Sequence, residues 1–390
     1  MKTTALPHLE KLSDQATAPF YEHHPIRKIL EITKENPRSV NTTLKENGTI
    51  DVHYRGRGND KPKMGMTAHI DHPGWIVQLL PDGTYSARLE GGYSEEQCLG
   101  ADVLLHDHLH DGRARGEIVE KFEGEHPEGV LYRIETTHNK GHWSFATPDL
   151  EAFSIHGDRI SGRVMDDFAG VSIGLATIAR AAKEKIPIDL LLRIYRAEES
   201  SFIGLYDEIM NQQFEADRVM YSLETSSNVA REGGKKEGKL ETIAQVGRGG
   251  PIIRTGDKRF VYDPDAIRLL EDAAKGINGP VRTKRMTGGV SDAALMQSAG
   301  SPAGGVIATL QNYHNGLYNH ETFVPEEISL RELEGAVDLM VSAANVLVGD
   351  PERFVNRPQQ MMTPDACLVI AKIHQKWEGY KNRGMLRFSL

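Results

Sequence analysis

Cysteine is nearly absent from the 390 residues: there are two, Cys98 and Cys367, far apart and in no CxxC pair. That excludes a disulfide framework and makes a reducing compartment the simplest setting. No run of ~18 apolar residues occurs, so no helix is expected to span a membrane. The segment from Met1 to Asp14 has no apolar stretch of signal-peptide length. A basic excess is missing too: 46 Lys and Arg stand against 55 Asp and Glu, a formal net charge of -9. Nucleic acid, which selects basic patches, is therefore not an expected partner. Gly247-Arg248-Gly249-Gly250 has neither dinucleotide nor P-loop spacing. Ser200-Ser201 and Ser226-Ser227 lie in no G-x-S-x-G elbow, which argues against a serine hydrolase. Internal repeats and low-complexity tracts are lacking. The remainder reads as a cytoplasmic chain of ordinary globular composition, with length for two or three domains at ~100–200 residues each.

What is present falls into three parts. Ile26, Ile29 and Leu30 sit at helical spacing behind Pro25, and polar alternation from Val40 to Tyr54 turns at Asn47-Gly48. Met64 to Asp71 then reads as a short buried strand. From about Trp75 to Ser161 the chain is rich in Gly, His and charge, with short alternating runs and little helical period, which predicts a small inserted β domain at 75–161. After Gly162, strands and helices alternate: helix Val171 to Ala182, strand Ile188 to Tyr195, helix Phe202 to Asn211, strand Arg218 to Leu223, helix Ala266 to Lys275, strand Gly304 to Thr309 and helix Leu330 to Val348. This is the pattern of an α/β fold with a mainly parallel sheet flanked by helices, built from 1–74 and 162–350. Residues 351–390 read as a helical extension, Asp365 to Trp377, with no evident chemistry.

In open α/β sheets ligands gather beyond the carboxyl ends of strands. Here the first strand ends in His69-Ile70-Asp71, the approach to the central helix gives Asp166-Asp167, the long apolar strand ends in Glu198-Glu199, the next in Glu224, and the last runs into His314. One such edge means little; five make the inventory of a two-metal site with nitrogen and oxygen ligands. His69 and Asp71 face the same side of a strand, so the Asp71 carboxylate can accept the second ring N–H of His69. Asp166 can bridge two ions, and also stands where a helix cap belongs. Glu198 and Glu199, being adjacent, point in different directions: one can bind metal while the other acts as a general base.

These residues resemble a known family. Ala68-His69-Ile70-Asp71 resembles the AHxD motif of the tetrahedral (deblocking, glutamyl-type) aminopeptidases, within the co-catalytic zinc exopeptidases. Gly162 to Gly170 resembles their segment around the bridging Asp, and Ala197-Glu198-Glu199 their Glu-Glu pair. Thr287 to Ala293 is similar to their Gly-Gly-Thr-Asp-Ala segment, and Gly91-Gly92-Tyr93 with Asp102-Val103 to their insert. The resemblance runs in order over roughly residues 9 to 348 and identifies the chain as a divergent member. It implies that His69, Asp166 and Glu224 hold one ion, that Asp166, Glu199 and His314 hold the other, and that Glu198 is the general base. It implies hydrolysis of N-terminal residues of peptides through a two-metal-activated water, with zinc, or else cobalt or manganese, as the ions. It further implies a homo-oligomer, from dimer to dodecamer, built through the insert. Departures are Glu224 in place of Asp, Ser200-Ser201-Phe202 after the Glu pair, and Tyr313-His314-Asn315-Gly316 at the last ligand, where His320 is an alternative.

A deacylase or carboxypeptidase-like amidohydrolase on the same scaffold is the first rival, with Arg254 and Arg285 available to hold a carboxylate. A non-catalytic metal-binding assembly protein is the second, and retention of both Glu198 and Glu199 speaks against it. His106, His108 and His110 alternate along a strand but read as a solvated face, and His23-His24 as surface.

Overall fold

The computed structural model describes residues 4–58, 61–122, 129–138, 141–227, 247–286, 289–318, 320–354 and 364–390, and the backbone of 231–232 and 235–236. In chain order its strands are β1 (Val40–Leu44), β2 (Ile50–Arg55), β3 (Lys63–His69), β4 (Gly74–Leu79), β5 (Tyr85–Glu90), β6 (Asp102–His106), β7 (Arg113–Lys121), β8 (Leu131–Glu135), β9 (Phe145–Pro148), β10 (Ser154–His156), β11 (Arg159–Gly162), β12 (Asp189–Tyr195), β13 (Val219–Ser227), β14 (Arg231–Glu232), β15 (Lys235–Lys236), β16 (Ile252–Arg254), β17 (Arg282–Lys284), β18 (Ala303–Leu310) and β19 (Glu326–Ser329).

The eight-stranded sheet has the order β1-β2-β12-β3-β13-β18-β16-β17. Its centre, β12, β3, β13 and β18, is parallel, while β2 against β12 and β16 against β18 are antiparallel. The centre is mostly apolar because both its faces are covered: β18 is buried along its whole length and β3 at all but its first residue. The register aligns Tyr195 with His69 and Glu224 with Ile307, so the carboxyl ends of the four parallel strands reach one edge together. Helix Phe168–Glu184 packs beneath β3, β12 and β13, starting where the Asp167 carboxylate caps Gly170 N–H at 2.8 Å. Helix Leu330–Gly349 lies beside it, capped by Ser329. Truncating a side chain such as Leu192, fully buried between sheet and helix, would cost about 2–5 kcal/mol.

Residues between β3 and β10 close into a barrel, β4-β5-β8-β7-β6-β9, with its own core around Trp75, Tyr85, Val103, Ile118 and Ile134. The expected helix near Ile26 runs His23–Thr33. Contrary to the sequence reading, His23 and His24 are buried, because this helix faces both the barrel and the chain's end: His24 Nε2 donates to the Asp107 carbonyl at 2.9 Å and His23 Nε2 to that of Ser389 at 3.2 Å. Nor do the alternating histidines form a solvated strand face. β6 stops at His106, which is buried, stacked on Phe145 and bonded to Thr147; His108 bonds Ser144, and only His110 is exposed. The C-terminal helix runs Pro364–Asn382 and packs on helix Ile203–Met210. No helix among the described residues is long and apolar enough to cross a membrane.

Candidate metal centre

The strand-end edge is where the side chains converge. His69 closes β3, with Nε2 3.4 Å from Asp166 Oδ1 and 3.9 Å from Glu198 Oε2. His314 follows β18, with Nε2 3.0 Å from Glu199 Oε1 but without the alignment of a hydrogen bond. Three groups have ligand atoms within one ion's reach: His69 with Asp167 and Glu224; His69 with Glu198 and Glu199; and Asp166 with Glu199 and His314. All the residues expected as ligands are thus brought together, and Asp167 joins them. The two aspartates differ in what already holds them. Asp167 caps the helix and its second oxygen lies 3.4 Å from His69 N, whereas Asp166 Oδ1 is buried without a hydrogen-bond partner.

Asp71 is in the site, but its role differs from the sequence expectation. The ring Nδ1–H of His69 is taken by the backbone carbonyl of Asp71, at 3.1 Å, while the carboxylate stands 3.7 Å away. That carboxylate instead accepts the backbone N–H groups of Glu198 and Glu199. A strand end bends the chain back on itself here, so the main chain reaches the ring before the side chain does. His314 is fixed in the same manner: Nδ1–H donates to the Gly92 carbonyl at 3.0 Å, which leaves Nε2 facing the carboxylates. Gly92 gives that approach room, since a Cβ there would lie 3.2 Å from the His314 ring and the ring would have to give by a few tenths of an ångström.

Several residues at the site were not singled out in the sequence. Glu326 accepts the N–H groups of Met165 and Asp166, at 2.8 and 3.0 Å, and His72 Nδ1 donates to the Asp166 carbonyl at 2.7 Å. Asn315 links His72, Tyr93 and the Arg163 carbonyl. Asp292, in the segment resembling Gly-Gly-Thr-Asp-Ala, is buried with Oδ1 unpartnered. His72 sits one residue beyond the His69–Asp71 motif, a signal that was available; Glu326 comes from a distant strand and had none. Thr287 and Gly288 lie outside the described residues. His320 is exposed, while His314 is buried in the cluster. Arg254 is buried over the Tyr262 ring, and its charge only partly offsets the burial that raises Glu224; Arg285 is tied to the Asp257 carbonyl at 3.3 Å.

The electrostatics call for cations. Burial drives Glu198 and Asp167 well above the usual carboxylate range, and neighbouring carboxylates add to it. Burial, with Asp166 and Asp292 nearby, pushes Glu224 up to about 8, and burial lifts Asp292 to about 6. Burial would likewise raise Asp166, but His69, His314 and His72 outweigh it and hold that carboxyl low. His314 is raised to about 9, the attraction of Glu199 overcoming its burial. A protein-only cluster of this kind must trap protons to neutralise itself. Two divalent ions would do so with the imidazole and carboxylate donors such ions prefer, and the unpartnered Asp166 Oδ1 and His314 Nε2 are open for them.

A family model described as M42 glutamyl aminopeptidase matches residues 142–321. A provisionally named aminopeptidase of Acetivibrio thermocellus is 22% identical over 305 residues, 76% of this chain and 86% of its own. Among solved structures, an aminopeptidase of the archaeon Desulfurococcus kamchatkensis superposes with a TM-score of 0.69 at 20% identity, covering 87% of this chain and 93% of its own. The TET1 peptidase of Pyrococcus horikoshii, described as able to assemble into a tetrahedron or a large octahedral shell, gives 0.66 at 20% identity, with 87% and 99% covered. At these identities the structural likeness establishes the fold.

Proposed function

We infer that the chain is a divergent member of the M42 glutamyl aminopeptidase family and a metal-dependent aminopeptidase working at the His69–His314 cluster. The carrying observation is Asp166. Its buried, unpartnered Oδ1 stands by His69 on one side, and the carboxylate belongs to the His314–Glu199 group on the other, which suits a bridge between two ions. We assign His69, Asp166 and Glu224 to one ion and Asp166, Glu199 and His314 to the other, and leave Asp167 to its capping role.

Two divalent ions, when bound, lower the pKa of a water and polarise a carbonyl. The protein's own groups do the rest. Asp71 holds the Glu198 and Glu199 backbone, Gly92 and the Asp71 carbonyl set the two histidine tautomers, and Glu198 accepts the proton of the attacking water and passes it to the leaving amine. Zinc is the proposed ion; cobalt and manganese suit the same oxygen-rich donors. We further propose a catalytic body of 1–74 and 162–350 with the barrel region 75–161 as an insert used in homo-oligomer assembly, by likeness to the Pyrococcus horikoshii peptidase. A cytoplasmic setting is supported by both cysteines being unpaired.

The test is elemental analysis of the purified protein, followed by assays of free and N-acetylated aminoacyl and dipeptide substrates with added zinc, cobalt or manganese. Two ions per chain and cleavage of free-amine substrates alone are expected. Cleavage of blocked substrates alone would make it a deacylase, and absence of metal would overturn the reading.

A further inference from the structure

The Glu198-Glu199 pair sits in a loop whose backbone is constrained. Ala197 (φ 50°), Ser201 (φ 84°) and Phe202 (φ 60°) all occupy the left-handed region. Residues bearing a Cβ hold that conformation in series only where their surroundings over-determine it. One restraint is Asp71, from the sheet side. The other comes from the far end of the chain.

Ser200 Oγ donates to Glu90 Oε2 at 2.8 Å, and Tyr380 Oη, on helix Pro364–Asn382, donates to the same oxygen at 2.7 Å. Arg88 Nε lies 3.2 Å from the second Glu90 oxygen. Arg88, Glu90, Ser200 and Tyr380 are all buried. One helical turn before Tyr380, Lys376 Nζ donates to Ser201 Oγ at 2.9 Å, and Trp377 Nε1 bonds Asp207 at 3.0 Å in the helix that continues the loop. Glu90 closes β5 two residues before Gly92, whose carbonyl fixes the His314 ring. A single carboxylate thus joins the C-terminal helix to the Glu199 loop and to the turn that orients His314.

We propose that Tyr380, acting through Glu90, is a positioning residue for the metal centre: the C-terminal helix clamps the Glu198-Glu199 loop and the Gly91-Gly92 turn so that Glu199 and His314 are set to share one ion. The proposal rests on the reading of these two residues as ligands. Packing alone would not require it. The Tyr380 ring already packs on Phe20, centroids 4.6 Å apart, so a phenylalanine would serve a plain brace. The hydroxyl is instead spent on a buried carboxylate, and burial beside Glu90 keeps that phenol protonated as a donor. No chemistry is legible in this segment from the sequence because its partners, Glu90 and Ser200, lie 290 and 180 positions away.

Tyr380→Phe in the full chain keeps the ring and removes the hydroxyl. Zinc titration of the metal-stripped protein by calorimetry, beside steady-state kinetics, reads the effect. One of the two zinc affinities and kcat should each fall by roughly ten-fold, the usual size for an outer partner of a metal ligand, with KM within about two-fold. Ser200→Ala, removing the other donor to the same oxygen, should act alike, and the double variant should fall short of the product of the two. Ile373→Ala, buried on the same helix and in none of these bonds, should lower the thermal midpoint while zinc affinity and kcat stay near wild type. Wild-type zinc affinity and kcat in Tyr380→Phe, or multiplying effects in the double variant, would overturn the clamp while leaving the ligand assignment standing. A wild-type chain that binds no zinc would overturn both.

Discussion

The carboxylate of Asp71 accepts the backbone N–H of Glu198 on one oxygen and that of Glu199 on the other, both at 2.9 Å. Being fully buried, it holds the two peptide groups with no competition from water. Asn at this position offers one acceptor and turns an amide N–H₂ toward a backbone N–H. Asp71→Asn is therefore expected to keep its metal and lose about 10–100-fold in kcat, as outer partners of ligands do. Elemental analysis with kinetics checks this. Full activity would mean that the loop keeps its shape without Asp71.

Glu198 reaches within 3.9 Å of His69 and is not tied to the capping and backbone contacts that occupy Asp167. Its burial among carboxylates raises its proton affinity, the property wanted of a base once cations offset the excess charge. Glu198→Gln preserves shape and removes the proton acceptor. A loss of about 10²–10⁴-fold in kcat is expected, with metal content unchanged. Turnover at the wild-type rate would remove Glu198 from the base role.

Much of the site could be read from the sequence because His69, Glu198, Glu199 and His314 lie at or just beyond the carboxyl ends of parallel strands, which align; Glu224 instead lies three residues inside β13, and Asp166 stands at the start of the central helix. Met64 to His69 and Ile188 to Tyr195 stand out as largely apolar runs, and the structure pairs Met64–His69 with Leu190–Tyr195 residue for residue. The carboxylate roles were harder. Whether Asp71 serves the His69 ring or the Glu198 backbone depends on how a loop folds back, which strand periodicity does not encode. Glu326 holds Asp166 in place from a strand 160 residues later, and its short run carries no periodic signal. The burial of His23 and His24 was missed for a related reason: polar at the sequence level, they are covered by the barrel and by the last residues of the chain.

The choice between His314 and His320 is open to a direct experiment. His314 is buried, its Nδ1–H is spent on the Gly92 carbonyl, and its Nε2 faces Glu199 and Asp166. His320 is exposed and belongs to no ligand group among the described residues. His314→Ala should reduce bound metal from two ions toward about one and abolish most turnover, whereas His320→Ala should leave metal content intact. The reverse pattern, read by elemental analysis, would transfer the ligand role.

Acid should loosen the chain's end before it reaches the sheet. Burial holds the His23 pKa down at about 3, helped by His108 and Arg196, with Phe388 packed against the ring at 4.6 Å. Burial holds His8 at about 4. In the unfolded chain both titrate near 6.5, so the folded state binds fewer protons than the unfolded state below that pH. The stability that neutral His23 and His8 contribute is present above about 6.5 and is lost as pH falls toward their folded values. Thermal midpoints should therefore drop on acidification from about pH 7 to about pH 4, and proteolysis near Phe388 should quicken over the same range. His23→Gln can still donate to the Ser389 carbonyl but takes up no proton, so its midpoint should fall less steeply. An identical acid limb in the variant would show that the loss lies with other groups.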